Sequence, residues 1–271
     1  MVKAKSHVRT AAGLAQSRWF QVVARAGYVT TGLVHAMIGW ICLRLGLWRD
    51  ADQSADQSGA LASFAEAPAG AALLLAGAVA TAMLAAVHVL ASVGDLKHDL
   101  PSAVKAAGKA VLYGALAVTA WSIGSGQSSH SGDTAESATA PLLASGLGRA
   151  LVILAGAAII AVGVYHVYKG TTRKFRNDLS PSGDDKISSV IDMSGLVGYV
   201  AKGLALVGVG GMVMWAAISV DPDKARGLDA AFTEVLSFPA GGYLLAGMGI
   251  GFVLFGVYSV LRAKYQQMPT S

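Results

Sequence analysis

Charge is scarce in this chain. Asp, Glu, Lys and Arg make up 14% of its 271 residues, while hydrophobic residues make up 54%. An ordinary soluble domain carries about 25% charge, so the composition points to a membrane. Cysteine is scarcer still. Cys42 alone excludes an internal disulfide and any multi-cysteine metal site. Lys and Arg are missing altogether from residues 125–147, and residues 48–69 hold only Arg49 among Asp50, Asp52, Asp56 and Glu66. The strict apolar/polar alternation of a membrane barrel strand is also missing.

Six long apolar runs are present instead, at 27–47, 70–93, 106–124, 148–169, 196–219 and 241–262. Runs of about 18 or more nearly uncharged residues read as spanning helices, and in hydrocarbon a helix satisfies its backbone internally. The expected fold is therefore all-α and polytopic.

The net charge of +5 is sorted by loop and does not form a nucleic-acid face. Lys3, Lys5, Arg9, Arg18 and Arg25 precede the first run. Lys97 and Lys105 follow the second, Arg173, Lys174, Arg176 and Lys186 follow the fourth, and Arg262 and Lys264 close the last. The positive-inside rule then puts both termini of a multi-pass plasma-membrane protein in the cytoplasm, where the basic residues attract anionic lipids. Residues 1–23 read as a cytoplasmic or interfacial segment in which "SRWFQVVAR" forms a short surface helix. A cleaved signal peptide is not expected.

The stretch "PAGAALLLAG" at Pro68 is echoed as "PAGGYLLAG" at Pro239, 171 positions on. The same shift pairs Gly27-Tyr28 with Gly198-Tyr199 and Gly32 with Gly203. A shift of 78 pairs Gly70 with Gly148 and His88 with His166. A further shift of 93 pairs Lys109 with Lys202 and Gly163-Val164-Tyr165 with Gly256-Val257-Tyr258. Three two-helix copies follow, at 24–93, 102–171 and 195–264. Each contains an even number of spans, so they enter the membrane in one direction, around an expected pseudo-threefold axis and unlike inverted repeats. The connections "GALASFAEA" and "GLDAAFTEVLSF" suggest short surface helices. Pro68, Gly70, Pro239 and Gly241 read as the turns back into the bilayer.

The repeated "GYVTTGLV" and "GYVAKGLA", with the divergent "KAVLYGAL" and the Pro-x-Gly turn, resemble a family of integral membrane proteins common in actinobacteria, known as domain of unknown function 1206. The resemblance covers nearly the whole chain. It implies six spans in three repeats, and it carries no catalytic residue to transfer. The middle copy departs most, with Gly146-Leu147-Gly148 in place of the proline turn.

Within the spans, Gly32, Gly163, Gly203, Gly247, Gly251 and Gly256 read as helix-packing positions, where small residues let backbones approach. Without a preceding strand, "GVGGMV" and "GMGIG" are not nucleotide fingerprints. His35, His88 and His166 are the sharpest chemical signal, because ionisable groups in membranes are often functional. His88 and His35 fall about 8 and 12 Å from the inner ends of their helices by the helical rise, close enough in depth to share a layer. They could carry protons, bind a polar substrate, bind a metal or haem, or simply bond a neighbouring helix. Ser259 replaces the repeated histidine in the third copy, which excludes a threefold-symmetric metal site. Lys109 and Lys202 are expected to snorkel to the headgroups, and Trp40, Trp48, Trp121 and Trp215 to sit in the interfacial belt. Ser129, His130 and Asp133 are read as parts of a solvated loop, and "DQSADQS" as a flexible connector.

The function expected is non-enzymatic: binding of lipid, of a lipophilic small molecule, or of partner helices from another membrane protein or a second copy. A small transporter or proton-linked channel using the histidines is the alternative, and a haem-bearing electron carrier a third. No other cofactor, no metal and no nucleic acid is expected.

Overall fold

The computed structural model describes residues 18–49, 57–96, 99–127 and 131–267. Among them the chain is helical: α1 (Arg18–Trp48), α2 (Gln57–Ala65), α3 (Gly70–Asp95), α4 (Leu100–Gly124), α5 (Ser131–Leu143), α6 (Gly146–Thr171), α7 (Asp185–Ser219), α8 (Leu228–Leu236) and α9 (Gly241–Tyr265). Two 3-10 turns cover Lys174–Asp178 and Pro222–Ala225. Six of these helices, α1, α3, α4, α6, α7 and α9, are long and apolar enough to cross a membrane.

Three boundaries differ from the sequence expectation. Residues 18–25 are not a separate surface helix, because α1 runs through them unbroken and Gly27 alone does not interrupt it. Helix α4 starts at Leu100 and not at 106, because Asp99 accepts hydrogen bonds from the Ser102 N–H at 3.2 Å and hydroxyl at 2.7 Å, with Pro101 in the first turn. Those bonds hold the Asp99 carboxyl below the usual carboxylate range. Helix α7 starts at Asp185 and not at 196, because Asp184 accepts from the N–H groups of Lys186 at 2.8 Å and Ile187 at 3.4 Å.

The connection inside each repeat carries a short helix: α2, α5 and α8. Helix α5 stands where a solvated loop was expected. Its Asp133 lies in the first turn, Thr139 bonds back to the Ala135 carbonyl at 2.7 Å, and Pro141 falls in the last turn. Ser129 and His130, and most of "DQSADQS", lie outside the described residues. Pro68 and Pro239 belong to the turns ahead of α3 and α9, not to the helices' first turns. Ala69 takes up a left-handed conformation there, and a Cβ on Gly70 would collide with the Phe64 carbonyl. The middle copy solves the same problem without proline. A Cβ on Gly148 would collide with the Leu142 carbonyl, and the Ser145 hydroxyl caps the Gly148 N–H at 3.0 Å.

The chain divides into two compact units. Unit 1 comprises Met1–Arg49, Ile159–Val207 and Pro239–Ser271; unit 2 comprises Asp50–Ala158 and Gly208–Phe238. In unit 1, α1 packs antiparallel on α9 through rungs of glycine. A Cβ on Gly32, Gly39 or Gly46 would stand 2.8, 2.6 or 2.5 Å from the carbonyl oxygen of Gly256, Gly249 or Gly242. Helix α6 meets α7 in the same way, with a Cβ on Gly163 only 2.7 Å from the Gly203 oxygen. In unit 2 a Cβ on Gly156 would stand 2.8 Å from the Gly210 oxygen, and a Cβ on Gly124 3.2 Å from the Ala71 oxygen, where α4 meets α3. Farther along that pair the Ser92 hydroxyl donates to the Ala103 carbonyl at 3.0 Å. This register sets Ala78 opposite Ala117 and Ala85 opposite Ala110.

All three pairs thus obey one rule. The second span of each repeat packs on the first span of the next, and the last span packs on the first. The rungs recur every seven residues, the spacing at which a stripe keeps facing its partner along two supercoiled helices. Each rung brings backbone against backbone, the arrangement favoured where lipid leaves no hydrophobic drive between helices.

Candidate functional site

Unit 1 holds a group of aromatic and ionisable side chains around the end of α9. Glycine makes the room. A Cβ on Gly198 would stand 2.6 Å from the Phe255 Cα, and one on Gly195 2.5 Å from the Phe175 ring. Tyr199 becomes the hub. Its ring stacks on Phe175 at 5.6 Å and meets Phe255 and Tyr258 edge-on at 5.3 Å each. Phe175, Tyr199, Phe255 and Tyr258 form a buried cluster with Leu179 and Ile191. Tyr258 is fully buried, and its hydroxyl closes no hydrogen bond of normal length among the described residues.

Below the aromatic hub the charges are paired. Asp178, carried by the 3-10 turn, accepts from Lys169 at 2.7 Å and from Arg262 at 3.3 Å. Arg262 also donates to the Tyr199 hydroxyl at 3.2 Å and to Gln266 at 2.6 Å, and lies over the Tyr28 ring at 4.8 Å. Backbone bonds fasten the same linker to the end of α9, from Ser180 to Tyr265 at 2.8 Å and from Gln267 to Asp178 at 3.0 Å. Sequence reasoning missed this clasp. The signal for it was available, since Lys169 and Arg262 are repeat equivalents under the 93-residue shift.

Above the hub lies Lys202. The expectation that it snorkels to the headgroups is corrected: its Nζ stops 4.5 Å over the Phe255 ring. Side chains on a helix lean toward its N-terminus, so the stem reaches back about one turn and ends there. Phe255 precedes Arg262 by seven residues, which is about 10 Å along α9. Among the described residues Lys202 has no ion pair and no hydrogen bond. Its equivalent in the middle copy, Lys109, is exposed on α4.

The sequence-predicted histidines fall in different places. His35 packs against Phe255 at 4.7 Å and Phe252 at 6.0 Å, with Nδ1 bonded to the Thr31 carbonyl at 2.8 Å. His166 leans on Tyr199 at 5.7 Å, with Nδ1 on the Val162 carbonyl at 2.8 Å. His35 shares the Phe255 ring with Lys202, and His166 reaches that ring through Tyr199. His88 belongs to unit 2, where it stacks on Tyr113 at 5.5 Å and 6°. Ser259 is buried on α9. Among the described residues no three His, Cys, Asp or Glu side chains gather as a metal site.

The structure places Gly32, Gly163, Gly203 and Gly256 on the rungs, while Gly251 abuts Ala201. Gly247 is a correction. Among the described residues nothing approaches within 4 Å of a Cβ built there, because it faces away from the side of α9 that carries Gly249. Trp40, Trp48, Trp121 and Trp215 are exposed, the last with Lys224 over its ring at 4.5 Å. Asp133 pairs with Arg226 at 3.0 Å in unit 2.

Comparison with known proteins agrees with this repeating construction. Over 257 residues the chain is 26% identical to a Bacillus subtilis (strain 168) protein named "Uncharacterized protein YxxB", with 92% of each chain covered. No solved structure matches. Three segments, 26–95, 104–173 and 197–266, match the family described as Domain of Unknown Function (DUF1206), with the same shifts of 78 and 93 residues between them. With most of its length matched in triplicate, the chain belongs to the DUF1206 family.

Proposed function

We propose that this protein is a non-enzymatic membrane protein that binds a lipid or another lipophilic molecule along its spans. One observation carries the reading: the central apolar stretch of α3 is only 11% buried, and that of α6 only 17%. Leu73, Met83, Leu84, Val87 and Leu90 of α3 all stand exposed. An apolar surface of that extent is a binding surface when it is not covered by the chain itself. The rungs hold the helix pairs backbone to backbone, which suits a fixed scaffold. Native mass spectrometry of protein extracted in several mild detergents tests the reading. Retained lipid or lipophile is the expected result, and bare protein in every detergent overturns it.

A second reading, proton-linked transport, is favoured by His35 and His166. Each uses Nδ1 on its own helix, which leaves Nε2 available to take up or release a proton. It requires a pH-dependent flux in proteoliposomes that is lost on replacing His35, His88 or His166. Unchanged flux in all three single variants removes its basis.

A further inference from the structure

We infer that Lys202, together with His35 and His166, receives the anionic head of an amphiphile, one carboxylate or phosphate group carried on an apolar tail. The inference rests on the lipid-binding reading above and gives it a chemistry.

The Lys202 ammonium has the Phe255 ring face at 4.5 Å, and the His35 ring sits 4.7 Å from that same ring. His166 joins through Tyr199, whose ring lies 5.7 Å from the imidazole and meets the same Phe255 ring edge-on at 5.3 Å. Every group named so far around the ammonium is aromatic or basic. The nearby acids are taken: Asp178 holds Lys169 and Arg262, and Asp192 holds Arg176. On α7 itself Asp192 lies ten residues before Lys202, about 15 Å along the helix. A cation inside a spanning segment is costly unless it is paired, and a cation–π contact offsets only part of that cost. Among the described residues, no unpaired anionic oxygen completes the cluster.

The two histidines suit the same ligand. With Nδ1 donating to a helix carbonyl at 2.8 Å in each ring, Nε2 is the atom left over; it accepts in the neutral ring and donates once the ring takes up a proton beside the bound anion. Charge-assisted donors of this kind are the strong ones for carboxylate and phosphate. The tail follows from position. A small hydrated anion would have to shed its water to reach a residue inside a span, whereas an amphiphile arrives from the bilayer with its tail already in hydrocarbon. Half-buried Leu206, one turn beyond Lys202, continues the apolar path.

The repeat supplies a control, because Lys109 occupies the equivalent position and is exposed. The full-length protein is purified in mild detergent and titrated with a phosphatidylglycerol, with oleate, with phosphatidylcholine and with inorganic phosphate. Binding is read by native mass spectrometry and by the shift in thermal midpoint. The phosphatidylglycerol or oleate is expected to bind at least about tenfold more tightly than phosphatidylcholine, and whichever binds more tightly identifies the head. Lys202→Gln loses that preference, Lys202→Arg keeps it, and Lys109→Gln matches wild type. Retention by Lys202→Arg separates loss of charge from loss of folding. Equal binding of phosphatidylcholine, equal protection by inorganic phosphate, or equal losses in Lys202→Gln and Lys109→Gln overturns the inference while lipid binding stands. Retention of no lipid of either charge overturns both.

Discussion

The α1/α9 pair and the α3/α4 pair share one register and differ in what fills it. The first places glycine on both sides of three rungs, at 32, 39 and 46 opposite 256, 249 and 242. The second uses Ala71, Ala78 and Ala85 opposite Gly124, Ala117 and Ala110. Beside the rungs the contrast deepens. Phe255, Tyr258 and Arg262 of α9 correspond to Leu84, Val87 and Ala91 of α3. Half of the central stretch of α9 is buried, 50%, against 11% for α3. The repeat therefore sets where helices meet, and the size of the rung residue sets how closely. Among the described residues the aromatic and ionisable cluster gathers around the end of α9, where α6, α7 and the 3-10 turn meet it, and no such cluster gathers around α3.

The largest expected effect tests the rungs. Gly249→Ala drives a Cβ to 2.7 Å from the Gly39 carbonyl, and should cost about 2 to 3 kcal/mol of stability. Gly247→Ala, two residues away in open space, should be neutral or stabilising by up to about 1 kcal/mol. Thermal unfolding in detergent measures both, and equal losses would break the contrast between the two faces of α9. Next comes the clasp of unit 1. Asp178→Asn leaves Lys169 and Arg262, 16% and 19% exposed, without their carboxylate, and should cost roughly 2 kcal/mol given partial solvent screening. An unchanged midpoint would show that the backbone bonds from Ser180 and Gln267 suffice. The smallest effect belongs to the cap that starts α4. Because Ser102 lowers the Asp99 pKa in the folded state, the cap stabilises fully above the usual carboxylate value of about 3.9 and fades as pH falls through the lower folded value. The midpoint difference between wild type and Ser102→Ala should therefore be present near neutrality and shrink in acid. A difference that stays constant down to about pH 2 would assign it to something other than that carboxylate.

Six spans and three copies were legible because both depend on features local in sequence: the length of apolar runs and fixed shifts between matching residues. Gly32 and Gly203 could be paired as equivalents in the same way. Their partners could not. Which span packs on which is decided between repeats, and Gly249 and Gly39 carry no local mark of facing one another, whereas the four-residue spacing of Gly247 and Gly251 looked like such a mark and was only half right. Helix α5 was hidden by its Ser, Thr and Gly content, which also reads as loop. Asp178 was hidden by position, since a linker acid becomes a clasp only once the 3-10 turn carries it beneath Lys169 and Arg262. Lys202 was misread because depth along a helix says nothing of which neighbour stops the side chain.

The return of the last span to the first has a cost in time. The ribosome releases α1 first, and 192 residues separate its end at Trp48 from the start of α9 at Gly241. At 5–20 residues per second that interval is roughly 10 to 40 s. Throughout it the Gly32, Gly39 and Gly46 stripe has no mate, so a nascent chain needs lipid, the insertion machinery or a chaperone to occupy that groove until synthesis ends.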